Sequence, residues 1–185
     1  MGAVTILAII LIVVLGWLAF TYNSLIRGRN QVDQSWADVD TELRRRYDLI
    51  PNLVETVKGY AAHEQGTLNA VVEARNRAMA AESPAEHGAA ENLLSGALRQ
   101  LFALAEAYPD LKANQNFLQL QTELAATEDR IQGVRRYYNA AVRDFNNLAE
   151  TVPTNIVASA FGFSRREFFE LEDEAARSAP QVSFT

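Results

Sequence analysis

The chain has 185 residues, of which 49% are hydrophobic, carries a formal net charge of −6 and contains no cysteine. The acidic balance argues against a nucleic-acid-binding protein and against a polybasic membrane-surface domain. Without cysteine the chain forms no disulfide or thiolate metal site and has no cysteine nucleophile.

The first feature along the chain is an uncharged apolar run over residues 3–22, and the first charged side chain is Arg27. Twenty helical residues span roughly 30 Å, the thickness of the hydrocarbon core of a bilayer. A cleaved signal peptide would begin with basic residues and end in small ones, and a buried core helix would carry polar residues on one side. The run matches neither pattern, so we expect a retained single-pass anchor.

The charges around this run predict its orientation. Arg27 and Arg29 follow the run closely, and only the amino terminus is positive before it. Because positively charged flanks stay on the cytoplasmic side of a membrane, we expect the N-terminus outside the cell and the long C-terminal part in the cytoplasm.

The next stretch carries apolar residues at heptad spacing from Trp36 to Ala78. It predicts a long helix that grows directly out of the membrane helix. Pro51 interrupts the pattern, because a proline inside a helix removes the hydrogen bond to the carbonyl four residues back. Either one helix kinks at Pro51 or two helices meet there. Since the apolar pattern keeps its phase across the proline, we favour one long kinked helix.

A second apolar seam runs from His87 to Tyr108. Its start is marked by Ser83, Pro84 and Glu86, which have the order of an N-cap residue, a first helical proline and the partner of a capping box. The sequence therefore predicts a second long helix that begins at Pro84.

A third seam runs from Phe117 to Leu148, with apolar residues alternately three and four apart. Asn114 can cap the start of this helix, which should end near Glu150. Such seams are typical of helices packed at a shallow angle in a bundle or a coiled coil. A turn and a short helix beginning near Pro153 should follow.

The C-terminal part has a different character. Residues 161–169 contain four phenylalanines, with Ser164 and Glu167 at capping-box spacing. These aromatic residues either close the end of the bundle or form a self-assembly or membrane-contact surface. Residues 170–185 are first acidic and then extended, as in a solvated tail or a peptide ligand for a neighbouring chain.

Several ordered blocks of the chain resemble the LemA family. They are residues 45–60 (RRYDLIPNLVETVKGY), 72–76 (VEARN), 111–117 (LKANQNF), 127–131 (TEDRI), 161–163 (FGF) and 179–184 (APQVSF). The resemblance covers nearly the whole chain, anchor included. It implies a bacterial protein with an external N-terminus, one membrane helix and an elongated antiparallel helical bundle, in a family some of whose members are linked to bacterial organelle membranes. It implies no activity and no catalytic residues.

The histidines do not have the spacing of a metal site. Neither His63 nor His87 lies in an HExxH motif, and neither follows a glutamate by three residues as in di-iron bundles. We expect His63 on a polar helix face and His87 at an end of the bundle. Glycine-rich phosphate loops and nucleophile elbows are also absent from the sequence. We therefore predict no catalytic residue, no cofactor and no metal.

The run from Arg44 to Arg46 has two interpretations. It can bind phospholipid headgroups, or it can form salt bridges between helices. Because the run lies about twenty residues beyond the membrane, roughly 30 Å along a helix, we favour salt bridges. The carboxylates interpreted as solvated or paired with arginines across helices are Glu55, Glu73, Glu123 and Glu128.

These observations predict an all-α fold: an N-terminal transmembrane helix followed by an elongated antiparallel bundle of three to four long helices with coiled-coil-like packing. The expected divisions are a membrane anchor over residues 1–26, a long-helix bundle over 27–150, and short helices with an acidic, extended tail over 151–185.

The expected function is a membrane-anchored helical scaffold or interaction protein of the bacterial inner membrane that self-assembles and has no catalytic activity. The alternative is a membrane-tethered enzyme with a site of carboxylates and arginines between facing helices, and a buried polar cluster in the bundle would be its mark. The expected partners are the lipid bilayer, further copies of the chain and unidentified proteins, but no nucleic acid. Assembly contacts are expected from the membrane-proximal helix and the C-terminal aromatic residues, namely Trp36, Phe161, Phe163, Phe168 and Phe169.

Overall fold

The computed structural model describes residues 2–170, which form α-helices and no strand. The predicted all-α fold with a long apolar N-terminal helix is confirmed. The helices are α1 (Gly2–Lys58), α2 (Gln65–Ala80), α3 (Pro84–Ala105), α4 (Pro109–Lys112), α5 (Gln115–Glu150) and α6 (Thr154–Ala160). The acidic, extended tail predicted beyond residue 170 lies outside the described residues.

Helix α1 continues through Pro51, as predicted. The proline has no N–H for the carbonyl oxygen of Tyr47, four residues earlier. The side chain of Arg75 from α2 fills this role, because its Nε donates a hydrogen bond of 2.7 Å to the Tyr47 oxygen. The carbonyl that proline leaves open is therefore satisfied by a side chain from another helix.

The first apolar seam is nevertheless shared between two helices. The prediction of one helix from Trp36 to Ala78 is wrong, since α1 ends at Lys58 and α2 begins only at Gln65. Gly59 directly follows the end of α1, and glycine is about 1 kcal/mol less favourable than alanine inside a helix. The apolar pattern keeps its phase across the turn, and so it hides the break.

Helix α3 begins as predicted. The Ser83 hydroxyl oxygen accepts a hydrogen bond of 3.2 Å from the backbone N–H of Glu86. In return, the Glu86 carboxylate accepts bonds from the backbone N–H groups of Glu82 and Ser83, which lower the pKa of this carboxyl. The capping box and Pro84 together fix the first turn.

Helix α5 also has the predicted limits. The Asn114 side-chain oxygen caps it by accepting a hydrogen bond of 3.1 Å from the backbone N–H of Phe117, and the helix ends at Glu150. The expected short helix after it is α6. Beyond Gly162 the described chain has no regular secondary structure, so Ser164 and Glu167 do not begin a helix despite their spacing.

The described residues divide into two compact units, and the boundaries fall within α1 and α5. Unit 1 comprises residues 2–42 and 130–168, and unit 2 comprises 43–129 with 169 and 170. Large buried side chains of unit 1 include Leu25, Val32, Val39, Ile131, Tyr138 and Phe145, and those of unit 2 include Leu43, Ile50, Leu53, Leu94, Leu101, Leu111 and Phe169. The division predicted at residues 26 and 150 stays a prediction.

The beginning of α1 is apolar and unpacked. By length and composition it is able to cross a membrane, and its most apolar stretch buries nothing against the rest of the chain. All residues from Gly2 to Gly16 are exposed, whereas Trp17 and Leu18 are half-buried. Packing against α1 therefore begins within the last turns of the apolar run, which supports the expected association with a membrane.

Candidate functional site

Unit 2 contains a cluster of polar side chains that three helices contribute. Arg46 and Tyr47 come from α1, Glu91 and Ser95 from α3, and Glu128 from α5. We call these five residues the arginine–glutamate cluster. It is the feature of unit 2 whose chemistry most resembles a functional site, because charged groups meet there inside a helical core.

The geometry ties the central pair, Arg46 and Glu91, to three neighbouring side chains. One guanidinium nitrogen of Arg46, Nη1, lies 2.6 Å from Glu91 Oε2 and 3.1 Å from Glu128 Oε2, and the other, Nη2, donates to Ser95 Oγ at 2.9 Å. The Tyr47 hydroxyl donates to the second Glu91 oxygen, Oε1, at 2.6 Å. Both carboxylate oxygens of Glu91 thus accept short hydrogen bonds, of the strong kind that ionised partners make.

Burial sets the electrostatics of the cluster. Arg46 is 5% exposed and Glu91 is completely buried, whereas the Glu128 side chain is 37% exposed. Loss of hydration raises the pKa of Glu91, the positive charge of Arg46 and the Tyr47 hydrogen bond lower it, and the Glu128 charge raises it. The effect of burial is the largest, so the pKa of Glu91 lies above the ordinary value of 4.5.

The predicted salt-bridge role of the Arg44–Arg46 run is confirmed at Arg46, which pairs with carboxylates on two other helices. Glu128 was expected to be solvated or paired with an arginine of another helix, and Arg46 is that arginine. Three of the blocks that carry the family resemblance meet at this place: one supplies Arg46 and Tyr47, one supplies Glu128, and one supplies Arg75, whose bond to the Tyr47 backbone adjoins the cluster.

Sequence analysis missed Glu91. It lies in the second apolar seam between Ala90 and Leu94, and the seam was traced through those two neighbours. The spacing from His87 through Glu91 and Leu94 to Leu98 is equally regular, and all four are buried. A single carboxylate in such a pattern is the signal that could have indicated a buried ion pair.

A shallow groove lies elsewhere in unit 2, between α2 and α3. It has a volume of about 400 Å³ and is lined by Ala70, Glu73, Ala74, Arg77, Asn92, Leu93, Gly96, Ala97 and Gln100. Glu73 and Arg77 form an ion pair of 2.6 Å along α2 at its rim. The groove contains no member of the arginine–glutamate cluster, so the buried charges do not face it.

The two histidines have different surroundings. His63 is exposed in the turn between α1 and α2, not on a helix face as expected, because α1 ends earlier than predicted. His87 is buried in the first turns of α3. Within residues 2–170 there is no group of three or more histidine, aspartate or glutamate side chains placed to hold a metal ion.

The five predicted assembly contacts have very different exposures. Phe161 is 61% exposed, Trp36, Phe163 and Phe168 are half-buried, and Phe169 is completely buried. Each half-buried residue whose ring contacts are known packs within unit 1: Trp36 against Tyr138 and Phe163 against Tyr22 and Phe145.

Phe169 belongs to the core of unit 2 and not to a free surface. The chain beside it passes closely over α3 at Gly88, where a side chain would collide with the backbone of Glu170. In this conformation Phe169 is therefore not available to another copy, and it closes the chain's own core, the first of the two roles predicted for the aromatic segment.

Comparison with known proteins gives the family. The model of the LemA family matches residues 35–184. Protein LemA of Metamycoplasma hominis is 28% identical over 170 residues, which cover 88% of this chain and 76% of that protein. Magnetosome protein MamQ 2 of Paramagnetospirillum magneticum is 25% identical over 179 residues, 83% of this chain and 66% of that protein. Magnetosome protein MamQ of Magnetospirillum gryphiswaldense is 24% identical over 178 residues, 82% of this chain and 65% of that protein. The chain thus spans slightly less than two thirds of the length of both magnetosome relatives. Because the family model matches most of the chain, the protein belongs to the LemA family.

Proposed function

We propose that the protein is a membrane-anchored helical interaction protein of the bacterial inner membrane, which self-assembles and has no catalytic activity. The observation that carries the proposal is the exposed apolar start of α1, for which a bilayer is the natural solvent. The arginine–glutamate cluster supports the absence of catalysis, since Arg46 and Glu91 bond to each other and to adjacent side chains.

The magnetosome relatives are about one quarter identical to this chain. This likeness supports a role at a membrane-bound structure. We therefore expect its partners to be the bilayer, further copies of the chain, and proteins still to be identified.

Confinement of the chain to a membrane supports self-assembly more than the five predicted contacts do. Only Phe161 among these five residues is exposed. An anchor restricts copies to two dimensions and so raises their effective concentration. Mass analysis of the complex extracted in mild detergent tests this. We expect a particle that contains more than one 20.5 kDa chain. A particle with a single copy and no other protein would contradict both self-assembly and scaffolding.

The proposed orientation puts the N-terminus outside and the bulk of the chain in the cytoplasm. Arg27 is exposed directly after the apolar run, where a positively charged flank favours the cytoplasmic side. Protease added to intact spheroplasts should leave the C-terminal part uncut, while lysed cells should show its digestion. Cleavage from outside would reverse the orientation.

The second candidate function is a membrane-tethered enzyme that uses the arginine–glutamate cluster. The presence of this cluster between helices favours it, but Glu128 is the cluster carboxylate with substantial exposure, and Arg46 already binds it. Replacing both buried charges by apolar residues, Arg46→Met with Glu91→Leu, distinguishes the two functions.

For an interaction protein, this double variant should keep the extracted particle mass and should complement a strain that lacks the gene. An enzyme would keep the particle but lose complementation, because its reacting groups would be gone. The control is Arg45→Met, which removes an exposed charge next to the cluster.

A further inference from the structure

Unit 1 carries a patch of apolar side chains that face outward beside the end of the apolar run. Val152 is 73% exposed, Ile156 is 64% exposed and Phe161 is 61% exposed. Val152 precedes α6, Ile156 lies within it and Phe161 directly follows it, so the three belong to one short segment. We call residues 152–161 the α6 segment.

The α6 segment is uncharged and has apolar residues on both its buried and its exposed side. Helix α6 has the sequence TNIVASA and contains no charged residue. Val157 and Ala158 are buried and attach it to unit 1, whereas Ile156 points away from that core. Exposed apolar residues grouped on one uncharged segment mark a contact with protein or lipid.

The position of the segment indicates which environment this is. The ring of Phe161 lies 4.9 Å from the ring of Tyr22, centroid to centroid. Tyr22 is the last residue of the apolar run and so marks one edge of the hydrocarbon core, where aromatic residues favour the interface. Phe161 is held at the same level as the end of the anchor.

The chain beyond Phe161 keeps it in this place. Phe163 also contacts Tyr22, with ring centroids 5.9 Å apart, and the Arg29 guanidinium lies 5.7 Å from the Phe163 ring. The Asn146 side chain of α5 makes reciprocal hydrogen bonds of 3.0 and 2.8 Å with the backbone of Arg166. The segment is thus tied to α1 and α5 next to the membrane end of α1.

We propose that the α6 segment is a second membrane contact, with Val152, Ile156 and Phe161 inserted into the lipid interface beside the anchor. Amphipathic segments of this kind bury their apolar side about 5–10 Å into the boundary between headgroups and acyl chains. The occupant is the bilayer that holds α1, because the patch continues the surface at which the anchor ends. The inference rests on the proposed anchoring, but it does not require self-assembly.

The absence of cysteine from the sequence makes the test direct. Ile156→Cys in the full chain is labelled with an environment-sensitive fluorophore and reconstituted into phosphatidylcholine vesicles whose acyl chains carry bromine at a shallow or a deep position. We expect a blue-shifted emission and loss of fluorescence with the shallow bromines. The matched control is Leu93→Cys, which labels a residue of unit 2 with a similar exposure of 54% and should keep its fluorescence.

A third label separates the two hypotheses. Ile12→Cys, in the middle of the apolar run, should be quenched by the deep bromines if the anchor spans the bilayer. Loss of quenching at residue 12 would contradict the anchoring itself. Quenching at residue 12 without quenching at residue 156 would overturn only the membrane contact.

Two further outcomes would also overturn the inference. If the label at residue 156 is shielded only at high protein-to-lipid ratio, the patch binds a second copy of the chain and not lipid. If the labels at residues 156 and 93 are quenched equally, the contact is not specific to the α6 segment. Quenching at residue 156 that is independent of protein density supports the membrane contact.

Discussion

The two ends of α1 distribute polarity in opposite ways. From Gly2 to Gly16 the helix is apolar and fully exposed, whereas Arg46 and Tyr47 on the same helix are polar and buried. The hydrophobic effect alone would predict the reverse at both ends. Burial in this chain follows what surrounds each part: in the proposed membrane role a bilayer replaces water at one end, and hydrogen-bonding partners replace water at the other.

The two ends therefore respond differently to a change of charge. A buried ion pair contributes little compared with an apolar pair of the same size, but removing one partner leaves the other charge buried and uncompensated. Replacing an exposed apolar residue by a charged one has little effect in water, but it is unfavourable in the hydrocarbon core of a membrane. Four experiments test this comparison.

The largest effect is expected from Arg46→Met. It leaves Glu91 buried without its guanidinium, and removing one partner of a buried pair lowers the free energy of unfolding by about 3–5 kcal/mol. Denaturant unfolding in mild detergent, followed by circular dichroism, measures it. The control Arg45→Met changes an exposed arginine and should stay within about 0.5 kcal/mol of the wild type. Equal effects of the two variants would show that the cluster does not stabilise unit 2.

The second experiment addresses the apolar end of α1. Ile12→Lys puts a charge in the middle of the run, where insertion into a membrane becomes less favourable by about 2.5–3.5 kcal/mol. We expect a lower share of the chain in the carbonate-resistant membrane fraction. Ile12→Leu is the control and should behave as the wild type. An unchanged membrane fraction for the lysine variant would contradict the view that this part of α1 lies in lipid.

The third experiment tests the bond between α2 and the Tyr47 carbonyl. Arg75→Leu removes the donor and should lower the free energy of unfolding by about 1.5–3 kcal/mol, the range for hydrogen bonds to charged groups. Arg77→Leu is the control, because it breaks only an exposed pair along α2 worth about 0.3–0.5 kcal/mol.

A double-mutant cycle with Pro51→Ala makes this test specific. Alanine restores the backbone N–H, so the Tyr47 carbonyl regains a donor within its own helix. The effect of Arg75→Leu should then be smaller, with a coupling free energy of at least about 0.5 kcal/mol. Additive effects would show that Arg75 does not act through this carbonyl.

The smallest effect is expected in the pH dependence of stability. Burial raises the pKa of Glu91 above its ordinary value of 4.5. The Glu91 carboxyl group therefore binds its proton more tightly in the folded chain than in the unfolded chain. The contribution of Glu91 to the free energy of unfolding is therefore complete below pH 4.5 and falls as pH rises through the raised pKa. The difference between wild type and Glu91→Gln, measured by denaturant unfolding at a series of pH values, should decrease over that window. A difference that increases with pH would mean that Arg46 outweighs burial.

Much of the fold could be predicted because its signals are local. Ser83 and Glu86 begin α3 through hydrogen bonds between neighbouring residues. Asn114 and Glu150 bound α5 as the sequence indicates. The same spacing at Ser164 and Glu167 begins no helix. There the backbone of the segment instead bonds to side chains of α5, which a local pattern does not show.

The candidate site depended on information that spacing does not contain. Arg46 was expected to form a salt bridge, but its main partner Glu91 is 45 residues away and lies in a seam that reads as apolar. Heptad periodicity reports which side of a helix is covered, and not which side chain of a neighbouring helix lies opposite. The end of α1 was missed for a related reason, because the apolar phase continues across the turn at Gly59.

The bond from Arg75 to Tyr47 also has a consequence for the order in which this chain is made. The carbonyl at Tyr47 leaves the ribosome 28 residues ahead of the side chain that satisfies it. Because synthesis proceeds from the N-terminus, the nascent α1 crosses Pro51 with this acceptor bonded only to water. The hydrogen bonding of the helix at its proline is completed only when α2 has been translated and has docked, so the apolar end of α1 is complete before its other end acquires its final hydrogen bonding.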